Sequence, residues 1–412
     1  MEFLKVQPLE AAREKMLACV NAKSLSTENL PIEAAVGRIL AADVYAAEDI
    51  PAFRRSAVDG YAVLAGDTAA AGENIPAFLT LKGRVDIGQL AQISIGSGEC
   101  AEVPTGGMVP TGADAVVMCE YTEMFGADGI AVGKSAAYGE NIVDVGEDAK
   151  NGALLLRRGK RILPQDVGAL AAVGATYVSV YVPPKIAIIS TGDELVAPGQ
   201  QPTPGQCLVR DINSHAVAAL ARRHGFRVVD SFVLPDDRQA LEEGVRRGMA
   251  VGDIVVVSGG SSKGKMDLTR PVFDAVSGGG VFTHGIAVKP GKPTILGYDD
   301  PSQTLLVGLP GHPVSAMMVF ELLLGWLLRR ITGNEAPPAI PGRLSCNIAS
   351  SPGKVTCWPC TLEPSESGGY LVLPIFGKSG LITTLTQAMG YFAVPRDVEG
   401  LREGDEVMVE LF

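Results

Sequence analysis

Lysines carry the first chemical signal in this chain. Lys263 and Lys265 stand in SGGSSKGKMD, with Asp267 beside them, and Lys289 and Lys292 stand in VKPGKP. These loops, and a third, LPGHPVS, each adjoin an apolar, strand-like segment between 253 and 316. Loops rich in Gly, Pro and Ser offer backbone N–H groups, which together with ammonium groups suit a phosphate or another oxyanion. Carboxylates fall at comparable places: Asp193-Glu194 after one apolar segment, Asp236-Asp237 after a second, and Asp267 after a third. Acids beside an anion pocket point to Mg²⁺ held next to phosphate oxygens. An Asp after a strand also caps helices, and Asp237 suits that role as well. Asp193 and Glu194 suit it less, because LVAPGQQPTPG follows them and carries no helical pattern.

GGSSKGK nearly spells the GxxxxGK phosphate loop. Met266 stands where Ser or Thr would reach Mg²⁺, and Pro271 interrupts the helix that should follow, so a P-loop NTPase is disfavoured. Gly259, Gly260 and Ser261 stay candidates for phosphate contact. In LPGHPVS, Pro313 suits the first turn of a helix whose free N–H groups would face an anion. His312 is a candidate polar contact there. No His-x-x-x-His spacing and no Ser/His/Asp order stands out. Cys357-Trp-Pro-Cys360 has the spacing of a redox or metal pair, but it lies in a β-rich stretch without a second pair, so placement on a strand is the expectation.

The elements around these loops alternate. KIAIIS, RVVDSFVLP, DIVVVSGG, TILGY and QTLLVGL read as strands. INSHAVAALARRHG, ending at a C-cap Gly225, DRQALEEGVRRGMA, LTRPVFDAV and an apolar run over 313–331 read as helices. This is a doubly wound α/β domain over 183–333, and such folds bind ligands at the carboxyl edge of the sheet. Residues 51–149 read as an inserted β-rich domain of short strands and Gly-rich turns. Residues 1–50 and 150–182 form an N-terminal region that the insertion splits. Its helix over 8–22 is expected to receive 154–176 on its apolar side. After Pro337-Pro338, 338–412 reads as a small C-terminal β domain.

The chain has 412 residues, 47% of them apolar and 20% charged, and a net charge of −11. That composition is globular and acidic, which argues against broad nucleic-acid binding. The longest apolar run, near 317–328, contains Glu321 and is too short for a bilayer, and the first ten residues show no secretory signal. Seven scattered cysteines suit reduced thiols in a cytoplasmic protein.

SAVDGYA, PTGGMVPTGADAVV, GENIVDVGED, TGDEL, SGGSSKGKMD, KPGKP and LPGHPVS, in this order, resemble the molybdopterin molybdenumtransferase family, which is MoeA-type and related to the gephyrin E domain. The resemblance covers roughly residues 50 to 390. It implies an elongated N-terminal region, an inserted β domain, a molybdopterin-binding α/β domain and a C-terminal β domain. It implies a homodimer with a composite active site, adenylylated molybdopterin and molybdate as substrates, Mg²⁺ as cofactor, and AMP as a product. The molybdopterin adenylyltransferase is a further implied partner.

Carried over by motif, Asp59, Thr105 and Asp148 would face the site from the other subunit. Glu194, Asp236 and Asp267 would be the acids of the α/β domain, with Asp59, Glu194 and Asp267 placing metal and water. Lys289 and Lys292 would hold the oxyanion. Pro310, Gly311, Pro313 and Ser315 would shape the pterin-phosphate loop, and Ser379 would reach in from the C-terminal domain. Val143, Gly285, His312 and Met389 depart from residues common in the family, two of them at positions where relatives carry a cation. Such losses leave molybdate or tungstate as the preferred oxyanion. A non-catalytic scaffold and the adenylyltransferase step are the alternative readings. The retained acids argue against the first, and the additional domains argue against the second.

Overall fold

The computed structural model describes residues 6–20, 25–201, 205, 207–259, 268–366 and 368–412. Helix α1 (Leu9–Val20) is amphipathic and buries Leu9, Ala12 and Met16. Strand β1 (Thr27–Pro31) later pairs antiparallel with β8 (Tyr177–Tyr181). Between them the chain leaves for the inserted domain and returns through α2 (Pro164–Ala172). The returning segment packs Leu156, Ile162 and Leu170 against Ile32, Ala35 and Leu40, not against α1. Instead, Leu9, Ala12 and Met16 join the core of the α/β domain beside Leu323 and Leu327. The expected packing of 154–176 on α1 is thus corrected. The larger apolar surface of the α/β domain takes the helix, and the split segment finds its own partner in β1 and its neighbours.

The inserted domain is a six-stranded sheet of β2 (Gly60–Val63), β3 (Ala77–Arg84), β4 (Glu99–Val103), β5 (Ala115–Met118), β6 (Thr122–Phe125) and β7 (Gly129–Val132). Their order is β5-β2-β4-β3-β7-β6. Both faces are covered, one by Ala62, Val103 and Val116, the other by Val63, Val117 and Ile130. Alternation of side chains along each short strand produces those two faces.

The α/β domain runs β9 (Lys185–Thr191), α3 (Asn213–His224), β10 (Arg227–Leu234), α4 (Arg238–Val251), β11 (Ile254–Ser258), α5 (Thr269–Val276), β12 (Val281–His284), β13 (Ile295–Asp299), β14 (Thr304–Leu309), α6 (Pro313–Phe320) and α7 (Trp326–Thr332). A π-helical turn, Glu321–Gly325, joins α6 to α7. The sheet order is β10-β9-β11-β14-β13-β12. The first four strands are parallel and wholly apolar where central, as burial on both faces requires. β13 runs antiparallel to both of its neighbours, β14 and β12, and β12 lacks the apolar alternation that would have marked it. Gly225 ends α3 at φ 103°, in the left-handed region expected of a C-cap glycine.

In the C-terminal domain, β15 (Ile340–Leu344), β16 (Val355–Pro364), β17 (Tyr370–Pro374), β18 (Gly390–Val394) and β19 (Glu406–Leu411) close into a barrel. The order is β16-β17-β15-β19-β18, and β18 pairs back on β16. Val288 and Lys289 pair in parallel with Val355 and Thr356, which stitches the lysine loop of the α/β domain to the barrel.

Candidate active site

The reversal of β13 decides where the second pair of lysines goes. Because β13 is antiparallel to β14, with Ile295 opposite Gly308, the KPGKP loop that precedes it lies at the carboxyl edge of the parallel strands. LPGHPVS leaves β14 at the same edge. Gly291, at φ 121°, presses the loop onto α6, and a side chain there would collide with Val319. Thr294 Oγ1 donates to Gly291 O at 2.7 Å and fixes the turn.

These loops and the barrel enclose a cleft of about 380 Å³. Lys289 and Lys292 line it from the α/β domain, and Lys354 and Lys378 from the barrel. Pro310 and the buried Ser315 form its floor beside Trp358. Among the described residues none of the four lysines pairs with a carboxylate. Such a cleft attracts an oxyanion. His312 and Ser379 meet across it, Nδ1 to Oγ at 2.8 Å, and Val314 N donates to Ser379 O at 3.2 Å. Pro313 occupies the first turn of α6, as expected. Gly311 is exposed, and its carbonyl accepts from Asn213 Nδ2 at 2.8 Å. The same amide donates to Ser258 Oγ at 2.9 Å, holding the ends of β11 and β14 together.

Gly259 sits at φ 114° against Thr191, where no side chain fits. Gly260, Ser261, Lys263, Lys265 and Asp267 lie outside the described residues.

The acids occupy the other end of this edge. Asp193 Oδ1 accepts from the backbone N–H of Asp236 at 3.0 Å. The Glu194 carboxylate folds back over Gly192, where a Cβ would stand 2.8 Å from Oε2. Burial raises the pKa of Asp236 above its usual 3.8. The Thr191 hydroxyl opposes the rise, and the charges of Asp193 and Glu194 add to it. A cation placed there would relieve that strain. Asp237 caps α4, accepting from Ala240 N at 2.8 Å, so its role is structural. Strands lie about 4.8 Å apart, so β9 and β10 set these acids roughly 15–20 Å from the lysine loop before β13. Acids and lysines therefore stand at different places along the same sheet edge. The expected placement of Glu194, Asp236, Lys289 and Lys292 at one sheet edge is observed, with the acids and the lysines several strands apart along it. Among the described residues no three His, Cys, Asp or Glu side chains converge to hold a metal ion.

In the inserted domain, Asp59 and Thr105 do come together: Thr105 N donates to Asp59 Oδ1 at 2.7 Å. The carboxylate thus holds the PTGG loop, and both residues are exposed. Asp148 is exposed on a turn whose N–H donates to Ile50 O at 3.0 Å. Among the described residues no hydrogen bond or ion pair joins Asp59, Thr105 or Asp148 to residues 183–333.

Lys354 and Lys378 were missed by sequence reasoning. Lys378 adjoins Ser379, which was a usable signal; Lys354 had none, since only the pairing of 288–289 with 355–356 brings it in. Cys357 and Cys360 are free, buried and on β16. Cys357 belongs to the α/β core and Cys360 to the barrel core, so they face opposite ways. The expected strand placement holds.

Fold and cleft define an anion-binding, doubly wound α/β protein with an inserted sheet domain and a closing barrel. Comparison with known proteins gives that class its family. Residues 7–174 match the MoeA N-terminal region (domain I and II), 187–330 a probable molybdopterin binding domain, and 341–412 the MoeA C-terminal region (domain IV). A curated relative from Haemophilus influenzae, a molybdopterin molybdenumtransferase, is 30% identical, with 98% of each chain covered. One of the same description from Bacillus subtilis is 29% identical over 99% of this chain and 95% of its own. A solved molybdopterin biosynthesis MoeA protein of Pyrococcus horikoshii superposes with a TM-score of 0.82 at 32% identity, covering 99% of this chain and 100% of that one. The chain belongs to the MoeA family.

Proposed function

We propose that this protein is a molybdopterin molybdenumtransferase: it inserts molybdate into adenylylated molybdopterin and releases AMP and molybdenum cofactor. The observation that carries this reading is the four-lysine cleft at one end of the sheet edge, with an acidic group at the other. A substrate with a phosphate-bearing pterin and a nucleotide is elongated, and molybdate is an oxyanion. Lys289, Lys292, Lys354 and Lys378 neutralise the anionic end. Pro310 and Ser315 shape the floor. Tungstate, a similar oxyanion, suits the same cleft.

Glu194 and Asp236 would hold Mg²⁺, which supplies neutralising charge for departure of the adenylate. The raised pKa of Asp236 favours that role, since a cation there stabilises the carboxylate. Asp59, Thr105 and Asp148 act from the inserted domain of a second subunit, so the protein works as a homodimer. Their exposure, and the lack of a partner for them on the α/β domain of their own chain, support this. The protein acts in the cytoplasm, next to the adenylyltransferase that makes its substrate; among the described residues no helix is long and apolar enough to cross a membrane.

Complementation tests the composite site. Asp59→Asn and Lys289→Ala should each be inactive alone. Mixed and allowed to exchange subunits, they should recover about a quarter of wild-type AMP release. Half the dimers are then hybrids, and each hybrid has one intact site. No recovery, with subunit exchange verified, would place Asp59 and Lys289 in sites of the same subunit or remove Asp59 from the chemistry.

A further inference from the structure

A second cavity, of about 480 Å³, opens where the N-terminal region meets the α/β domain. Every charged residue on its wall is an arginine: Arg38 and Arg161 on one side, Arg222 and Arg227 on the other. Chance favours acids here, since the chain has 46 Asp and Glu against 35 Lys and Arg. Arg38 pairs with Glu28 at 2.6 Å. Among the described residues the other three have no carboxylate partner.

Arg161 spans the junction. It donates to Gly37 O from one nitrogen and to His224 O from the other, both at 2.8 Å. Those bonds satisfy donors but leave the charge uncompensated, and burial lowers the pKa of this guanidinium. Gly225 lies beside it, where a Cβ would make only ordinary contact, 3.6 Å from Arg161. The carbonyl end of α3 offers Arg222 a partial counter-charge. Arg227, at the start of β10, has no such neighbour. Ile39, Phe226 and Leu328 add an apolar wall.

Guanidinium groups bind phosphate oxygens in a fixed fork, and several around one cavity select a multiply charged anion. We infer that this junction is a second anion site, distinct from the lysine cleft, for a phosphate-bearing small molecule of the diphosphate class. A ligand there bridges Arg38 and Arg161 to Arg222 and Arg227, and so ties the N-terminal region to the α/β domain. The inference is independent of the reaction proposed above.

Titration calorimetry with inorganic pyrophosphate at low salt tests it on the full chain. Lys289→Ala/Lys292→Ala/Lys354→Ala/Lys378→Ala removes all four cleft lysines, and saturable binding should persist in that variant. Adding Arg222→Ala/Arg227→Ala, both at exposed positions, should weaken binding at least tenfold without moving the ligand-free melting midpoint. Arg227→Gln alone, the milder change, should weaken it severalfold. Binding that disappears with the lysines, or that the arginine substitutions change less than twofold, overturns the inference. So does the absence of saturable binding.

Discussion

Replacing Gly259 with Ala places a methyl group where the Thr191 backbone oxygen already stands. The new Cβ would also lie 2.7 Å from Thr191 Oγ1. Two costs follow. A side chain at φ 114° is strained by about 1–2 kcal/mol, and forcing β9 and β11 apart at this point adds about 1–3 kcal/mol of overpacking. The sum, about 3 kcal/mol, corresponds to a drop of roughly 6–12 °C for a domain of this size. Gly311→Ala is the matched control. Its Cβ would meet only Gly259 Cα, at 3.8 Å, and its φ is not positive, so its melting midpoint should stay within about 2 °C of wild type. Differential scanning calorimetry of both variants, with near-UV circular dichroism for tertiary packing, measures the contrast. Equal midpoints for the two would refute the close approach of Gly259 to Thr191.

Three further outcomes are expected. Asp236 has a raised folded pKa, so its ionisation opposes folding. Asp236→Asn should therefore melt at or above wild type at pH 7, with the advantage shrinking as pH falls towards 4. A destabilised variant at pH 7 would contradict the repulsive setting. Glu321, 8% exposed, accepts from Arg223 and meets His224 Nε2 at 2.7 Å. Glu321→Ala should cost about 3 kcal/mol in urea unfolding of the α/β domain, and a loss below 1 kcal/mol would show that the cluster is not stabilising. Burial pushes the Cys357 and Cys360 thiols up to about 12, whereas Cys119 and Cys207 are exposed. Ellman's reagent should modify Cys119 and Cys207 in the native protein and reach Cys357 and Cys360 only on unfolding; fast native labelling of the latter pair would place them outside the core.

Local chemistry was legible in the sequence where it rests on neighbours in the chain. Gly225 as a C-cap, Asp237 as an N-cap and Pro313 at a helix start are all decided by adjacent residues, and all three are observed. The alternation of apolar strands and helices marked the doubly wound domain for the same reason. What escaped depends on pairing between distant segments. The antiparallel direction of β13 brings the KPGKP loop to the carboxyl edge, and nothing in TILGY encodes direction; the strand order then separates acids from lysines along that edge. Lys354 reaches the cleft only because β16 pairs with Val288-Lys289. The bond from Thr105 N to Asp59 closes a separation of 46 residues, which motif resemblance suggested and periodicity did not. Helix α1 was recognised as amphipathic, but its partner was misjudged, because an apolar stripe states that it will be covered and not by what.

AMP release from purified adenylylated molybdopterin, followed with and without molybdate in the presence of Mg²⁺, tests the proposed reaction most directly. Wild-type protein should release AMP on addition of molybdate and yield molybdenum cofactor, and Lys289→Ala should lose most of that activity while keeping its melting midpoint. Binding of the adenylylated substrate with no AMP release under any oxyanion, tungstate included, would contradict molybdenum transfer and leave a binding protein.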